Sequence, residues 1–228
     1  MPTCQRRTRS LCYNFDMEKE AKKTNGHSHG SGVYHSKYKI CVSGAAETGH
    51  CSESALESSE KLGRLIAEHN LVLVTGATTG APYWAAKGAK KAGGFVVGLS
   101  PATTQQHHVE DYKLPVDYHD LIIYTGFDFS GRNLLLTRSS DAVITVCGRM
   151  GTLNEFTIAF EDNKPQGVLT GSGGMADMLE DIVNKAHRGP GKVVFDSDPE
   201  RLLEKVIALI EEENKQNKKN EEKVKKAS

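Results

Sequence analysis

The chain has 228 residues, 38% of them hydrophobic, which is enough for one domain with a sizeable core and some tail and too little for two full domains. Its 29 Lys plus Arg equal its 29 Asp plus Glu, so no charge bias calls for nucleic acid or an anionic membrane surface. No run of about 18 apolar residues reads as a membrane span, and the basic start (Arg6, Arg7, Arg9) lacks the apolar stretch of a secretory signal.

Residues 1–36 are polar and poor in aliphatics, and Asn25 to Gly32 reads as a flexible stretch, so an N-terminal disordered arm is expected. Within it, Arg6 to Asn14 has Arg, Ser and Thr without an acid, a weak organelle transit pattern. His27 and His29 have no carboxylate or Cys partner at ligand spacing and read as part of a solvated linker.

From residue 37 to about 214, apolar runs alternate with helix-period segments. The runs are Ile40-Cys41-Val42, Leu71 to Val74, Phe95-Val96-Val97, Leu121 to Tyr124, Ala142 to Val146, Gly167-Val168-Leu169 and Val193-Val194-Phe195. Several lack polar alternation, which implies burial on both faces and a parallel sheet. Leu62, Leu65 and Ile66 form one helical stripe, and Met175, Met178, Leu179, Ile182, Val183 and Ala186 form a second. Leu202, Leu203, Val206, Ile207 and Ile210 form a third after Asp198-Pro199, a cap followed by a first-turn proline. Residues 211–228 are mostly Glu, Lys and Asn and read as a fraying helix end followed by a charged tail from 215. The expected fold is therefore α/β: one doubly wound, mostly parallel Rossmann-like sheet of about seven strands, with helices on both faces.

Such sheets bind ligands beyond the carboxyl ends of their strands, so the turns after the apolar runs are the places to search. Ser43-Gly44-Ala45-Ala46 follows the first run, and Thr75-Gly76-Ala77-Thr78-Thr79-Gly80 follows the second. Cys147-Gly148-Arg149-Met150-Gly151-Thr152 follows the fifth. Small residues let backbone N–H groups approach an anion at a helix start, the makings of a phosphate cradle. Neither a dinucleotide fingerprint nor a P-loop is present, and each turn taken singly is equally explained by tight strand-to-helix geometry.

Thr152 to Glu155 has the spacing of a capping box, though a carboxylate at a helix start also faces a ligand. Arg132 stands at the start of an expected helix, where the dipole favours acids, so it either faces an anion or pairs with an acid such as Asp128. Arg138 reads as a structural partner. Five cysteines without a pair at metal or redox spacing suit a reducing cytoplasm, with Cys41 in the core. His107-His108 reads as part of a plain surface loop between Pro101 and Pro115, and Tyr83-Trp84 as helix packing.

Arg132 through Glu155 resembles the core of the LOG (Lonely Guy) family and its relatives, the molybdenum-cofactor carrier proteins, a group long mislabelled as possible lysine decarboxylases. Arg132, Arg138, Ser140-Asp141-Ala142, Gly148, Gly151, Thr152 and Glu155 fall in register with the family pattern. The turn through Gly76 and the alanine-rich segment to Ala89 resemble the family's glycine turn and the helix behind it, so the likeness covers about Lys39 to Leu169. Three departures stand out. Asn133 replaces the lysine of catalytic members and is like the carrier branch, Cys147-Gly148-Arg149 replaces Pro-Gly-Gly, and Tyr83-Trp84 replaces small or acidic residues.

The resemblance implies a small phosphorylated ligand, no metal or cofactor, and a homodimer or larger homo-oligomer, and the balanced charge and absence of a long apolar run add the expectation of no nucleic acid and no membrane partner. It leaves two readings. In the first, a phosphoribohydrolase cleaves the N-glycosidic bond of a purine ribonucleoside 5′-monophosphate, with Arg132 and Glu155 as catalytic residues. In the second, the same cradle carries or senses molybdenum cofactor or a nucleotide without turnover. In both, Ser43, Gly44, Gly76, Thr79, Gly80, Asn133, Gly148, Arg149, Gly151 and Thr152 bind the phosphate or nucleotide. Arg149 either strengthens anion binding or fills the site. A lysine decarboxylase is rejected, because no lysine sits in a motif suggesting a Schiff base.

Overall fold

The computed structural model describes residues 37–227, and the arm expected over residues 1–36, with the Arg6 to Asn14 pattern and His27 and His29, lies outside the described residues. Each apolar run forms a strand: β1 (Lys39–Gly44), β2 (Val72–Thr75), β3 (Phe95–Ser100), β4 (Leu121–Tyr124), β5 (Ala142–Val146), β6 (Gln166–Leu169) and β7 (Val193–Asp196). They build one sheet in the order β4-β3-β2-β1-β5-β6-β7, every neighbouring pair parallel. The helices are α1 (Ala55–Glu68), α2 (Ala81–Lys91), α3 (Asp128–Ser139), α4 (Met150–Glu161), α5 (Leu179–Lys185) and α6 (Pro199–Ala227).

The two-residue period of the strands sorts the core into layers. Ile40, Val42, Leu73, Val96 and Ile144 pack with α1 (Leu62, Ile66), α2 (Ala85, Ala89) and α6 (Leu202, Leu203, Val206). The residues between them in sequence, Cys41, Val74 and Val143, point the other way, onto Leu136 of α3 and Ala159 of α4. Phe156, Val168, Leu179 and Val183 join α4, β6 and α5. Each Val, Leu, Ile or Phe among them contributes roughly 1.5–3 kcal/mol by leaving water.

Order along the sheet locates the ligand crevice. β1 has β2 on one side and β5 on the other, and the chain builds outward from it in both directions. The connections after β1 and β5 therefore diverge, opening a gap at the carboxyl ends of those two strands.

Asp198 caps α6 as expected, its Oδ1 accepting from the N–H groups of Glu200 and Arg201, both at 3.0 Å. Three local expectations are corrected. The second stripe is not one helix: Gly174–Met178 is a 3-10 turn and α5 starts at Leu179, leaving Met178 55% exposed and Ala186 exposed. A run of glycines with positive φ, Gly171, Gly173 and Gly174, bends the chain into that turn and shifts the helical phase. Nor does α6 fray at Glu211; it runs to Ala227. Glu and Lys are good helix formers, and Asn214 Nδ2 donates to Tyr38 Oη (2.9 Å) while Lys192 pairs with Glu213 (3.3 Å).

The His107-His108 loop departs furthest from expectation. Residues His107–Asp111 form a π-type turn, and His108 is fully buried. Its Nε2 lies 3.0 Å from the Pro115 carbonyl, which can only accept, so Nε2–H donates there and Nδ1 accepts from the Ser100 hydroxyl at 2.8 Å. Among the described residues no helix is long and apolar enough to cross a membrane.

Candidate functional site

A crevice of about 470 Å³ occupies the gap, within the usual ~300–1,000 Å³ of small-molecule sites. Its lining draws on every turn singled out in the sequence: Gly44 after β1, Thr79 after β2, Arg132 and Asn133 on α3, and Arg149, Gly151, Thr152 and Glu155 around the start of α4.

The floor holds a buried ionic cluster. Arg132 and Glu155, each 6% exposed, come from different helices, and Arg132 Nη1 lies 3.9 Å from Glu155 Oε1. Ser43 Oγ donates to Glu155 Oε2. The Asn133 amide nitrogen, in the orientation its neighbours require, donates to Glu155 Oε1 (2.8 Å) and to the Phe129 carbonyl (2.9 Å). Burial holds the Glu155 carboxyl above its ordinary range, and the Arg132 charge and the Ser43 hydroxyl pull only partly the other way. Among the described residues, Arg132 Nε has no hydrogen-bond partner. The floor thus presents a nearly enclosed guanidinium that its surroundings leave incompletely satisfied.

This cluster overturns the capping-box reading. α4 begins at Met150 with Arg149 in the cap position and no side-chain cap, so Thr152 is its third residue and cannot cap it. Glu155 is then turned inward, and the first intrahelical bond of this end runs from Leu153 N–H to the Arg149 carbonyl at 3.0 Å. The N–H groups of Met150, Gly151 and Thr152 precede it and face the crevice end of the helix, as an anion site needs. The alternative pairing of Arg132 with Asp128 is not formed; Asp128 accepts from the Tyr112 hydroxyl instead. Arg138 holds Asp162 at 2.9 Å on the surface, as a structural arginine.

The glycines divide by role. Gly76 lies beneath Arg132, where a Cβ would sit 1.6 Å from Nη1, so its missing side chain is the space the guanidinium occupies. Gly80 (φ +71°) and Gly148 (φ +97°) do not line the crevice; a Cβ there would strike the Ala45 carbonyl oxygen at 2.0 Å or the Thr152 side chain at 2.5 Å. They let the turns close up. Ser43 and Gly76 border a recess of only about 20 Å³ under the main crevice.

Arg149 does not plug the crevice. It reaches across the rim to Glu47, Nη1 to Oε2 2.8 Å, with both side chains more than half exposed. Cys147 and Cys51 form a disulfide, which corrects the reading of unpaired thiols and removes the argument from it for a reducing compartment. The signal was invisible in the spacing, because 96 residues separate the pair and only the fold brings the turns after β1 and β5 together.

One wall was not foreseen. Tyr112, Lys113 and Leu114, from the loop between β3 and β4, line the crevice opposite α4, beside Phe129. The Tyr112 and Phe129 rings meet edge to face, centroids 5.4 Å apart at 78°. Tyr83 and Trp84 stay outside: Tyr83 packs on Tyr118 (5.2 Å) and Lys87 Nζ sits 3.7 Å over the Trp84 ring.

Known proteins share this architecture. The molybdenum cofactor binding protein from the phototrophic bacterium Rippkaea orientalis superposes with a TM-score of 0.65 at 31% identity, covering 78% of this chain and 99% of that one. The molybdenum cofactor carrier protein from Chlamydomonas reinhardtii gives 0.63 at 28% identity, over 76% and 99%. An uncharacterized protein of Archaeoglobus fulgidus is 35% identical over 126 residues, 55% of this chain and 78% of its own length. Residues 37–203 match the SLOG cluster4 family along their whole extent, and the chain belongs to that LOG-like family.

Proposed function

We propose that the chain binds a phosphorylated small molecule carrying a planar ring system, a molybdenum cofactor or a nucleotide, and holds it without turnover. The observation that carries this reading is the Arg132 guanidinium, 6% exposed, lining the base of an open crevice with its Nη1 no nearer than 3.9 Å to the Glu155 carboxylate. A buried charge is costly unless paired and hydrogen-bonded, and a phosphate oxygen would complete this one. The free N–H groups at the start of α4 supply a second anion contact, and the Phe129 and Tyr112 rings an apolar face for a heterocycle. The likeness to a molybdenum cofactor binding protein in Rippkaea and to a molybdenum cofactor carrier protein in Chlamydomonas, and an asparagine at position 133, favour carriage over chemistry.

Glu155 favours a second reading, a phosphoribohydrolase. Its carboxyl is buried, its proton affinity raised, and it lies at the crevice floor. It could stabilise the oxocarbenium-like charge that builds on a ribose as the N-glycosidic bond breaks, or orient the water that adds to it. Arg132 would then position the 5′-phosphate so that remote binding energy fixes the reacting carbon.

Calorimetric titration with a molybdopterin and with AMP, alongside chromatographic detection of free base from AMP and N6-substituted AMP, separates the two. The carrier reading expects saturable binding that Arg132→Ala weakens at least tenfold, and no free base. Base release that disappears in Glu155→Ala would establish the hydrolase instead. We also infer that the chain pairs with a second copy of itself.

A further inference from the structure

The turns after β1 and β5 are the two jaws of the crevice, and they are bound covalently. Cys51 stands on the β1–α1 connection and Cys147 directly after β5, with Cα atoms 5.6 Å apart. The same connection supplies Ala45, Ala46 and Glu47 to the crevice lining, and the β5–α4 turn supplies Arg149, with Gly151 and Thr152 following in the first turn of α4. The remaining side-chain ties between the jaws are slight: the exposed Arg149–Glu47 pair at 2.8 Å and a contact of His50 Nε2 with the Gly148 carbonyl at 3.2 Å. Exposed pairs of this kind contribute little. The sulfur bridge is therefore the main side-chain link between them.

The two sulfurs differ in access. Cys147 is fully buried, its N–H donating to Ser172 Oγ at 2.8 Å and its carbonyl accepting from Ala176 N–H at 2.9 Å. Cys51 is only half-buried. A ring nitrogen of His50, an exposed residue, lies within 4.8 Å of both sulfurs. Cys147 also sits at φ +54°, a left-handed conformation that a side-chain-bearing residue rarely adopts without being held there.

We infer that Cys51 and Cys147 are a redox-active pair, a site of thiol–disulfide exchange with a small thiol or dithiol reductant, and that their state sets the affinity of the crevice for its phosphorylated ligand. A thiolate attacks the accessible Cys51 Sγ. The S–S bond breaks, its electron pair leaves on Cys147 Sγ, and solvent supplies the proton. A second thiol of the reductant resolves the mixed disulfide, so that one protein disulfide and two reductant thiols give two protein thiols and one oxidised reductant. Reduction removes the covalent tie and leaves the β1–α1 connection held there by backbone contacts, Ser52 N–H to the Ser172 carbonyl at 2.9 Å and the Cys51–Gly173 bridge, so that the rim of the anion site loosens. The affinity half of this inference rests on the ligand-binding reading above; the exchange and the loosening do not.

The experiment uses the full chain, air-oxidised and dithiothreitol-reduced, with thiol content confirmed by alkylation and mass spectrometry. AMP titration is expected to show binding five- to tenfold weaker after reduction. Cys51→Ser is expected to bind like the reduced protein and to ignore dithiothreitol. Hydrogen–deuterium exchange without any ligand is expected to rise over residues 45–54 and 147–152 on reduction, with the rest of the sheet unchanged. Failure of AMP to bind either form would sink the nucleotide reading, and the exchange data would still decide the redox pair. Oxidised protein that retains both thiols, exchange identical in the two forms, or AMP affinity that reduction leaves unaltered would each overturn the inference.

Discussion

Two single-residue changes isolate what the crevice floor does. At Gly76 a Cβ would coincide with the Arg132 guanidinium, the far end of a flexible side chain, and no positive φ adds backbone strain. Gly76→Ala is therefore expected to fold with a stability loss of about 1–2 kcal/mol, typical of modest overpacking, while displacing Arg132 and weakening AMP binding at least tenfold. A urea melt and a titration on the same sample check both; an unchanged affinity would mean that Arg132 does not contact the ligand. Glu155 gives a pH signature. Its folded-state proton affinity is raised, chiefly by burial, so the stability it contributes is present below the ordinary carboxylate range and lost as pH rises through its folded value. Glu155→Gln removes that titration, so the variant is expected to gain on the wild type as pH rises from 4.5 to 8, read as the difference in Tm. An anionic ligand binds better when Glu155 is neutral, so wild-type affinity for AMP should fall over the same interval and that of Glu155→Gln should fall less.

At the scale of elements, the loop between β3 and β4 is the least expected part of the site and the most testable. Fully buried His108 bridges the Ser100 hydroxyl and the Pro115 carbonyl, and so pins the segment that carries Tyr112, Lys113 and Leu114 to the crevice. His108→Ala leaves the buried Ser100 hydroxyl without an acceptor and the half-buried Pro115 carbonyl without its donor, and opens a cavity. The expected cost is about 2–4 kcal/mol in denaturant unfolding, with a several-fold loss of ligand affinity and no change in the exchange of the α4 start. Full affinity in a destabilised variant would show that the wall is not part of the site. The same loop marks where sequence reading runs out. Parallel strands buried on both faces announce themselves as short apolar runs, which is why Ile40 to Val42 and Ala142 to Val146 were legible, and with them the turns that follow. The role of His108 rests on Ser100 and Pro115, whose distance from it only the folded loop sets. Thr152 to Glu155 misled for a related reason: the box spacing is correct, but α4 starts at Met150, ahead of the supposed cap, and the carboxylate finds Ser43 and Asn133 instead.

For the whole molecule, the apolar surface near the crevice bears on assembly. Phe127 (64% exposed), Leu134 (37%) and Leu135 (39%) stand on or beside α3, and Met150 (70%) opens α4. The adjoining leucine, Leu136, is 1% exposed and belongs to the core, so the apolar run of α3 serves two surfaces, one inside the fold and one outside it. Exposed apolar residues are ordinary when scattered, but four on or beside two neighbouring helices near a ligand site fit a face that a second copy covers. Light scattering is expected to report a dimer or a larger homo-oligomer. Leu135→Glu places a charge on that face without touching the core, so it is expected to shift the mass towards a single chain while leaving the circular dichroism of the fold intact. A wild-type mass of one chain would remove the case for self-association. A variant that stays assembled would move the interface elsewhere. If the interface is where α3 and α4 present it, the partner lies next to the helices that hold Arg132 and Glu155, and the monomeric variant should also bind ligand less tightly than wild type, because the elements that fix the floor lose an external support.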